Sequence, residues 1–241
     1  MIEIYFGSVD LDRTQRMTIS HGWIRHPHYN ETSGENDIAL IFSELGSISF
    51  NGNVGEICLP PENVDEMAIL IADRWMRIAG WGATQEFGGT ISNLLRETYV
   101  YSLDAYNCSL FSYVNEGEIC VIGRNGANVA CGDSDGPLMS RMNGRWIVDG
   151  VAAAFPQLSD FNNQTCNPNF PSTFTRVSNY LNWIYEVTCF DLINRRYPNI
   201  ISEMHLYRAN NNVVDVQHEK LLWTNLTENH IRNRFKHDEL K

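Results

Sequence analysis

The chain has 241 residues, of which 43% are hydrophobic and 11% aromatic; this suits one folded domain with a sizeable core, alone or with an appendage. The net charge of −11 is concentrated in residues 1–189, which hold 10 Arg, no Lys and 22 Asp and Glu. Such an acidic body argues against nucleic acid as a partner, because phosphate binding needs clustered Lys and Arg. No apolar run approaches the ~20 residues of a membrane-spanning helix, so no membrane partner is expected.

Most of the chain predicts an all-β fold. Residues 2–189 read as short segments rich in β-branched and aromatic residues, separated by turn residues. Residues 1–7 have no basic start and no apolar run of signal length, so they predict an interior strand and not a signal peptide. Strands are also predicted at residues 75–79 and 145–148. Between the second of these and the strand before it, Asn143-Gly144 predicts the turn of a hairpin.

A helix is predicted to begin near Ser178. Val177, Tyr180, Leu181 and Ile184 recur at the i, i+3, i+4 and i+7 positions that form one face of a helix. We therefore expect this apolar stripe to pack against the body of the domain.

Residues 190–241 are predicted to form a C-terminal tail, which places a domain boundary after residue 189. Their one small apolar patch cannot bury a core for ~50 residues, and the Asn-Asn-Asn run at 210–212 interrupts any regular element. The tail histidines lack the spacing of metal ligands, and no cysteine stands beside them. Neither a metal nor another cofactor is predicted.

The cysteines and glycosylation acceptors indicate an oxidising, secretory compartment. Six cysteines occur in the chain. Four Asn-x-Ser/Thr acceptor sites accompany them, at Asn30, Asn107, Asn163 and Asn225. We expect an extracellular, disulfide-bonded glycoprotein, although residues 1–7 do not resemble an export signal.

Residues 131–138 read Cys-Gly-Asp-Ser-Asp-Gly-Pro-Leu, which resembles the nucleophile loop of the trypsin/chymotrypsin (S1) serine proteases. Four further segments, in the order typical of that family, share the resemblance: residues 35–41, 57–60, 79–82 and 170–184. The resemblance implies two antiparallel β-barrels, the first of them incomplete, followed by a C-terminal helix. It also implies a monomer that acts on, or binds, a protein or peptide.

Carried over position by position, the resemblance implies a catalytic site. Ser134 would be the nucleophile and Asp37 the aspartate of the Ser/His/Asp triad. The backbone N–H groups of Gly132 and Ser134 would form the oxyanion hole. Asp133 would pair with an amine that turns inward when the family's proteases are activated.

The triad histidine has no counterpart at the expected place. His21, His26 and His28 precede Asp37, and none is followed by the cysteine that accompanies the family's catalytic histidine. We expect structural or surface roles for all three, and a chain that is inactive as given. Three hypotheses stay open: an incomplete endopeptidase, a secreted non-catalytic homologue that binds partners, and a gene fragment whose product does not fold.

The predicted substrate cleft also departs from the family pattern. Asp135 replaces the glycine that follows the nucleophile, where its charge would oppose a developing oxyanion. The remaining pocket positions are Val129, Ala153, Ala154, Phe155 and Ser172. They predict an apolar or blocked pocket, which would not hold Lys or Arg.

The family resemblance implies two disulfides beside the cleft, Cys108–Cys120 and Cys131–Cys166. Cys58 aligns with a cysteine that usually pairs upstream of the catalytic domain, and Cys189 has no obvious partner.

Overall fold

The computed structural model describes residues 2–13, 16–44, 46–61, 74–84, 90–109, 115–154 and 168–196. Their fold is mostly β, as the sequence predicts. The strands within the described residues are β1 (Glu3–Phe6), β2 (Arg16–Arg25), β3 (Ala39–Ser43), β4 (Trp75–Gly80), β5 (Arg96–Leu103), β6 (Glu118–Gly123), β7 (Pro137–Met142), β8 (Arg145–Ala154) and β9 (Ser172–Arg176). In the same ranges, two α-helices accompany them, α1 (Ala105–Ser109) and α2 (Leu181–Arg196). Short 3₁₀ turns cover Leu11–Arg13 and Val177–Tyr180.

The first three strands form an antiparallel sheet in the order β1-β2-β3. Tyr5 pairs with Met17, and Trp23 pairs with Ile41. Within the described part of the chain, neither outer strand of this sheet pairs with a further strand. The incomplete first barrel expected from the family resemblance is therefore present as an open sheet.

The remaining six strands close into a barrel in the order β4-β5-β6-β9-β8-β7. β7 and β8 form the predicted hairpin, and both turn residues have positive φ, 50° at Asn143 and 82° at Gly144. An Asn-Gly pair suits this turn because both residues tolerate the left-handed region. Closure pairs every strand on two sides, which removes the exposed edges of an open sheet.

Two cores hold these elements together. The first fills the barrel and includes Val100, Leu138 and Phe174, each 0% exposed. The second joins Ile38, just before β3, to the start of the closing helix. All four residues of the predicted helical stripe are buried, and Val177, Tyr180 and Ile184 belong to this second core, whereas Leu181 is buried beside it in the sequence.

The chain divides into two compact units, residues 1–184 and 185–241. Of the second unit the structure describes residues 185–196, which are helical; the rest of the predicted tail lies outside the described residues. Neither described helix is long and apolar enough to cross a membrane.

Candidate active site

The loop that carries Ser134 is a tight turn between the barrel core and β7. Gly132 and Asp135 both adopt positive φ, 91° and 65°. The Asp135 N–H donates to the Ala152 carbonyl at 3.0 Å, and the Gly136 N–H donates to the Asp133 carbonyl at 3.0 Å. These bonds tie the loop to β8 and leave Ser134 exposed to solvent.

Asp133 is held by two backbone N–H groups. One carboxylate oxygen accepts from Gly82 at 2.7 Å, and the other accepts from Ala130 at 2.9 Å. A side chain at Gly80 or Gly82 would overlap this carboxylate. The two glycines lie in segment 79–82, which the sequence identifies only by its resemblance to the family, and their lack of side chains makes room for the carboxylate of Asp133.

A cavity of about 520 Å³ opens beside the same carboxylate. Its wall includes Gly80, Arg96, Asn128, Val129, Ala130 and Gly136. An ionised carboxylate offers about four acceptor sites, and the two N–H groups use only two of them. Asp133 could therefore accept a further donor from the cavity.

Asp37 lies half-buried just before β3. Burial raises the pKa of Asp37 above its ordinary value, and the negative charge of Asp135 raises it further. The neighbouring Asn36 orders this corner, because its amide donates to the His28 carbonyl at 2.9 Å and its oxygen accepts from the Tyr180 hydroxyl at 3.2 Å. The fold thus brings the carboxylate of Asp37 within electrostatic range of the loop that carries Ser134.

Among the described residues, neither His26 nor His28 forms a side-chain hydrogen bond to Asp37 or Ser134. The ring of His26 lies edge-on against Tyr180 and Trp183, with centroid separations of 5.1 and 5.0 Å. Its Nδ1 accepts from the His28 N–H at 3.4 Å. Burial, and secondarily the charge of His28, lower the pKa of His26. The side chain of His21 is outside the described part of the structure.

Val129 and Ser172 are both buried, and Val129 contributes only a small exposed area to the wall of the cavity beside Asp133. Val129 is 6% exposed and belongs to the barrel core. Ser172 is 0% exposed, and its hydroxyl donates to the Asn128 side-chain oxygen at 2.9 Å. The Asn128 amide in turn donates to the Phe170 carbonyl at 2.9 Å. In this structure both predicted pocket residues take part in packing beneath the cleft.

The predicted cleft wall lies at the end of β8. The register of β8 with β9 shifts between Ala152 and Ala154, so Ala153 is the extra residue of a β-bulge. Ala153 is half-buried. The backbone of Ala154 pairs with Thr173, and Phe155 lies outside the described residues.

The disulfide Cys108–Cys120 is present, with a Cα–Cα distance of 6.2 Å, and this prediction is confirmed. Cys131 is also disulfide-bonded, while its predicted partner Cys166 falls outside the described residues. Cys58 is a free, half-buried thiol.

Two of the four glycosylation acceptors lie in the described part of the chain. Asn30 is exposed, and its side-chain oxygen accepts from the Thr32 N–H at 2.9 Å. The Asn107 amide donates to Asp104 at 2.8 Å. Asn163 and Asn225 are outside the described ranges.

Known proteins share this fold and these sequence motifs. Residues 2–184 match the family model described as Trypsin. The chain is 34% identical over 181 residues to chymotrypsin-like elastase family member 1 of Macaca fascicularis, covering 72% of this chain and 63% of the relative. It is 31% identical over 173 residues to CLIP domain-containing serine protease B15 of Anopheles gambiae, covering 68% of this chain and 44% of that protein.

The solved structure of HL collagenase is also similar, with a TM-score of 0.63, 25% identity and coverage of 77% of this chain and 75% of the other. The fold and motifs define a trypsin-like serine protease domain. The chain belongs to the trypsin (S1) family, and it spans less than two thirds of the length of the elastase and CLIP-domain relatives.

Proposed function

We propose that this chain carries the nucleophile and aspartate of a serine endopeptidase but does not hydrolyse peptide bonds as residues 1–241 alone. The observation that carries the proposal is the packing of His26 against Tyr180 and Trp183. A serine hydroxyl needs a base within hydrogen-bond reach to become a nucleophile. Among the described side chains, no hydrogen bond joins His26 or His28 to Asp37 or Ser134.

The roles proposed for the remaining residues follow the family motif. Ser134 is the nucleophile, Asp37 the triad aspartate, and the N–H groups of Gly132 and Ser134 the oxyanion hole. Asp133, facing its cavity, is the acceptor for an activating amine. The positive φ of Gly132 supports its assignment, since a glycine adopts this conformation without steric cost.

The negative charge of Asp135 is a second obstacle to catalysis. Its charge already acts on Asp37, so two carboxylates share the region where acyl transfer would develop negative charge. At about 5 Å from an oxyanion, such a charge would oppose the transition state by about 3 kcal/mol at an effective dielectric of 20. That corresponds to about 100-fold in rate.

These same features favour a second candidate function, a non-catalytic homologue that binds a protein or peptide. The bulge at Ala153 and the burial of Val129 and Ser172 support a cleft that differs from a substrate pocket built on these positions. We further propose an extracellular monomer without a cofactor and without nucleic-acid or membrane partners. Its protease-like domain covers residues 1–189, and residues 190–241 form a tail. The disulfides support the extracellular assignment.

A fluorophosphonate probe tests the proposal, because it labels only an activated serine. We expect no labelling of the 241-residue chain and no peptide hydrolysis above buffer. Asp135→Gly, made in the same chain, removes the opposing charge without adding a base, and we expect it to stay unlabelled as well. Active trypsin provides the positive control.

Labelling of the 241-residue chain that Ser134→Ala abolishes would overturn the proposal, because one of the chain's histidines would then act as the base. Labelling of Asp135→Gly alone would show that the charge of Asp135, and not the lack of a base, is the obstacle.

A further inference from the structure

The outer surface of the closed barrel carries aromatic and arginine side chains that the proposed catalytic site does not use. Strand residues alternate between the core and the outside, and here the outward positions are occupied by rings and guanidinium groups. We call this surface the aromatic–arginine face; its members are Trp75, Arg77, Tyr99, Arg124, Arg141 and Trp146. We propose that it is a docking site for an acidic, aromatic-containing segment of a partner protein.

The face is built from guanidinium groups stacked on rings. The Cζ atom of Arg77 lies 4.8 Å from the ring centroid of Tyr99 and 5.0 Å from that of Trp146. The Cζ atom of Arg141 lies 5.8 Å from the ring centroid of the same Trp146. β-Sheet pairing sets these contacts, since Arg77 is opposite Tyr99 and Arg141 is opposite Trp146.

The stack is ordered before any partner binds. Arg77 donates to Glu97 at 3.0 Å and to the hydroxyl of Tyr99. The rings nevertheless stay accessible, with Tyr99 53%, Trp75 50% and Trp146 36% exposed. Ordered side chains lose little further entropy on binding. Trp, Tyr and Arg are also the residues enriched at the energetic centres of protein interfaces.

Charge indicates which partner fits. The face holds three of the ten arginines of an acidic body, and only Arg77 is paired there, with Glu97. Among the described residues, Arg124 and Arg141 make no ion pair. An acidic segment would complement these two guanidinium groups, and its aromatic side chains could stack on the exposed rings.

A sulfated polysaccharide fits the face less well. Such a chain presents closely spaced anions and needs a continuous row of unpaired cations. The central cation, Arg77, is already neutralised by Glu97 at 3.0 Å. A polypeptide can instead place its carboxylates at the flanking arginines and its rings at the centre.

The test uses a fluorescein-labelled random copolymer of glutamate and tyrosine, with polyglutamate and heparin as comparison probes. Binding to the full chain is followed by fluorescence anisotropy at low salt. We expect the copolymer to bind more tightly than polyglutamate or heparin. Arg141→Ala and Arg124→Ala should each weaken its binding by about three- to fivefold. Arg141→Lys, which keeps the charge but loses the planar stack, should weaken it less.

Arg25→Ala is the matched control, because Arg25 stacks on Tyr29 at 4.9 Å outside the face; it should leave binding unchanged. Melting temperatures of all variants confirm that each is folded. The proposal is overturned if the copolymer does not bind, or if Arg25→Ala weakens binding as much as Arg141→Ala. Heparin binding that is tighter than copolymer binding, and lost in the same variants, would make the face a polysaccharide site and would equally reject it.

Discussion

The closed barrel and the three-stranded sheet use the same antiparallel pairing, yet they bury their apolar side chains to different extents. Leu138 and Phe174 in the barrel are 0% exposed, whereas Trp23 and Ile41, a cross-strand pair in the sheet, are 56% and 51% exposed. Closing six strands encloses one face and pairs every edge. A sheet of three strands encloses neither of its faces and leaves the edges of its outer strands unpaired. The difference indicates that the barrel supplies most of the stability of residues 1–184.

The largest expected effect comes from truncating the barrel core. Phe174→Ala removes a fully buried ring and should lower the free energy of unfolding by about 3–5 kcal/mol. The matched variant Ile41→Ala in the open sheet removes a half-exposed side chain and should cost less than about 1 kcal/mol. Urea unfolding followed by circular dichroism measures both. Equal losses would show that the sheet is as well packed as the barrel.

The barrel interior should also make stability depend on pH, through Asp149. This residue is the extra residue of a β-bulge in β8, 1% exposed, and its Oδ2 has no hydrogen-bond partner among the described residues. Burial raises the pKa of Asp149 from 3.8 to about 6, against opposing effects of Ser140 and the nearby Arg74 and Arg176. The folded protein therefore keeps this proton at pH values where the unfolded chain has lost it.

The contribution of Asp149 to stability is fully present below pH 3.8 and is lost as the pH rises through about 6. The expected loss is about 3 kcal/mol. We predict that the free energy of unfolding of the wild type, measured relative to Asp149→Asn, falls by most of this amount between pH 4 and pH 7, since a smaller part is lost below pH 4. A relative stability that does not vary with pH would contradict the raised pKa. Buffers of equal ionic strength keep surface charges comparable.

The smallest expected effect concerns the electrostatic interaction between Asp37, just before β3 of the open sheet, and Asp135, just before β7 of the barrel. Asp135→Gly removes a side chain held at a φ of 65° and should stabilise the fold by about 1 kcal/mol. It also removes the charge that raises the pKa of Asp37, so that pKa should fall. Urea unfolding and an NMR titration of Asp37 measure the two results.

Asn143→Gly is the control for this variant, because Asn143 has a φ of 50° in the β7–β8 turn. It should leave the titration of Asp37 unchanged. If both variants shift that titration alike, the interaction between Asp37 and Asp135 is not the cause.

Much of the architecture could be predicted because its signals are local. Segments rich in β-branched and aromatic residues predict strands at 75–79 and 145–148, and β4 and β8 contain them. The Asn-Gly pair predicts the hairpin, and the i, i+3, i+4 spacing predicts the buried stripe from Val177 to Ile184. Helix α2 continues past the predicted boundary at residue 189, to Arg196. Helical geometry can persist beyond the packed stripe, so the end of this helix does not coincide with the predicted domain boundary.

The candidate site could be predicted only in part. The resemblance to the S1 motifs singles out Asp37, Asp133 and Ser134, and the absence of a following cysteine predicts structural or surface roles for the histidines before Asp37. It does not say that Asp133 rests against Gly80 and Gly82, since that contact joins segments about 50 residues apart.

By itself, the sequence determined the family, individual strands and the β7–β8 turn, because each depends on residue types at short spacing. The Cys108–Cys120 pair followed from the family resemblance. Only the tertiary structure decided which charges and rings meet. The approach of Asp135 to Asp37, the burial of Asp149 and the stacking of Arg77 on Trp146 all join residues from separate strands or loops. Their energies depend on distance and on exclusion of water, which exist only once the barrel has closed.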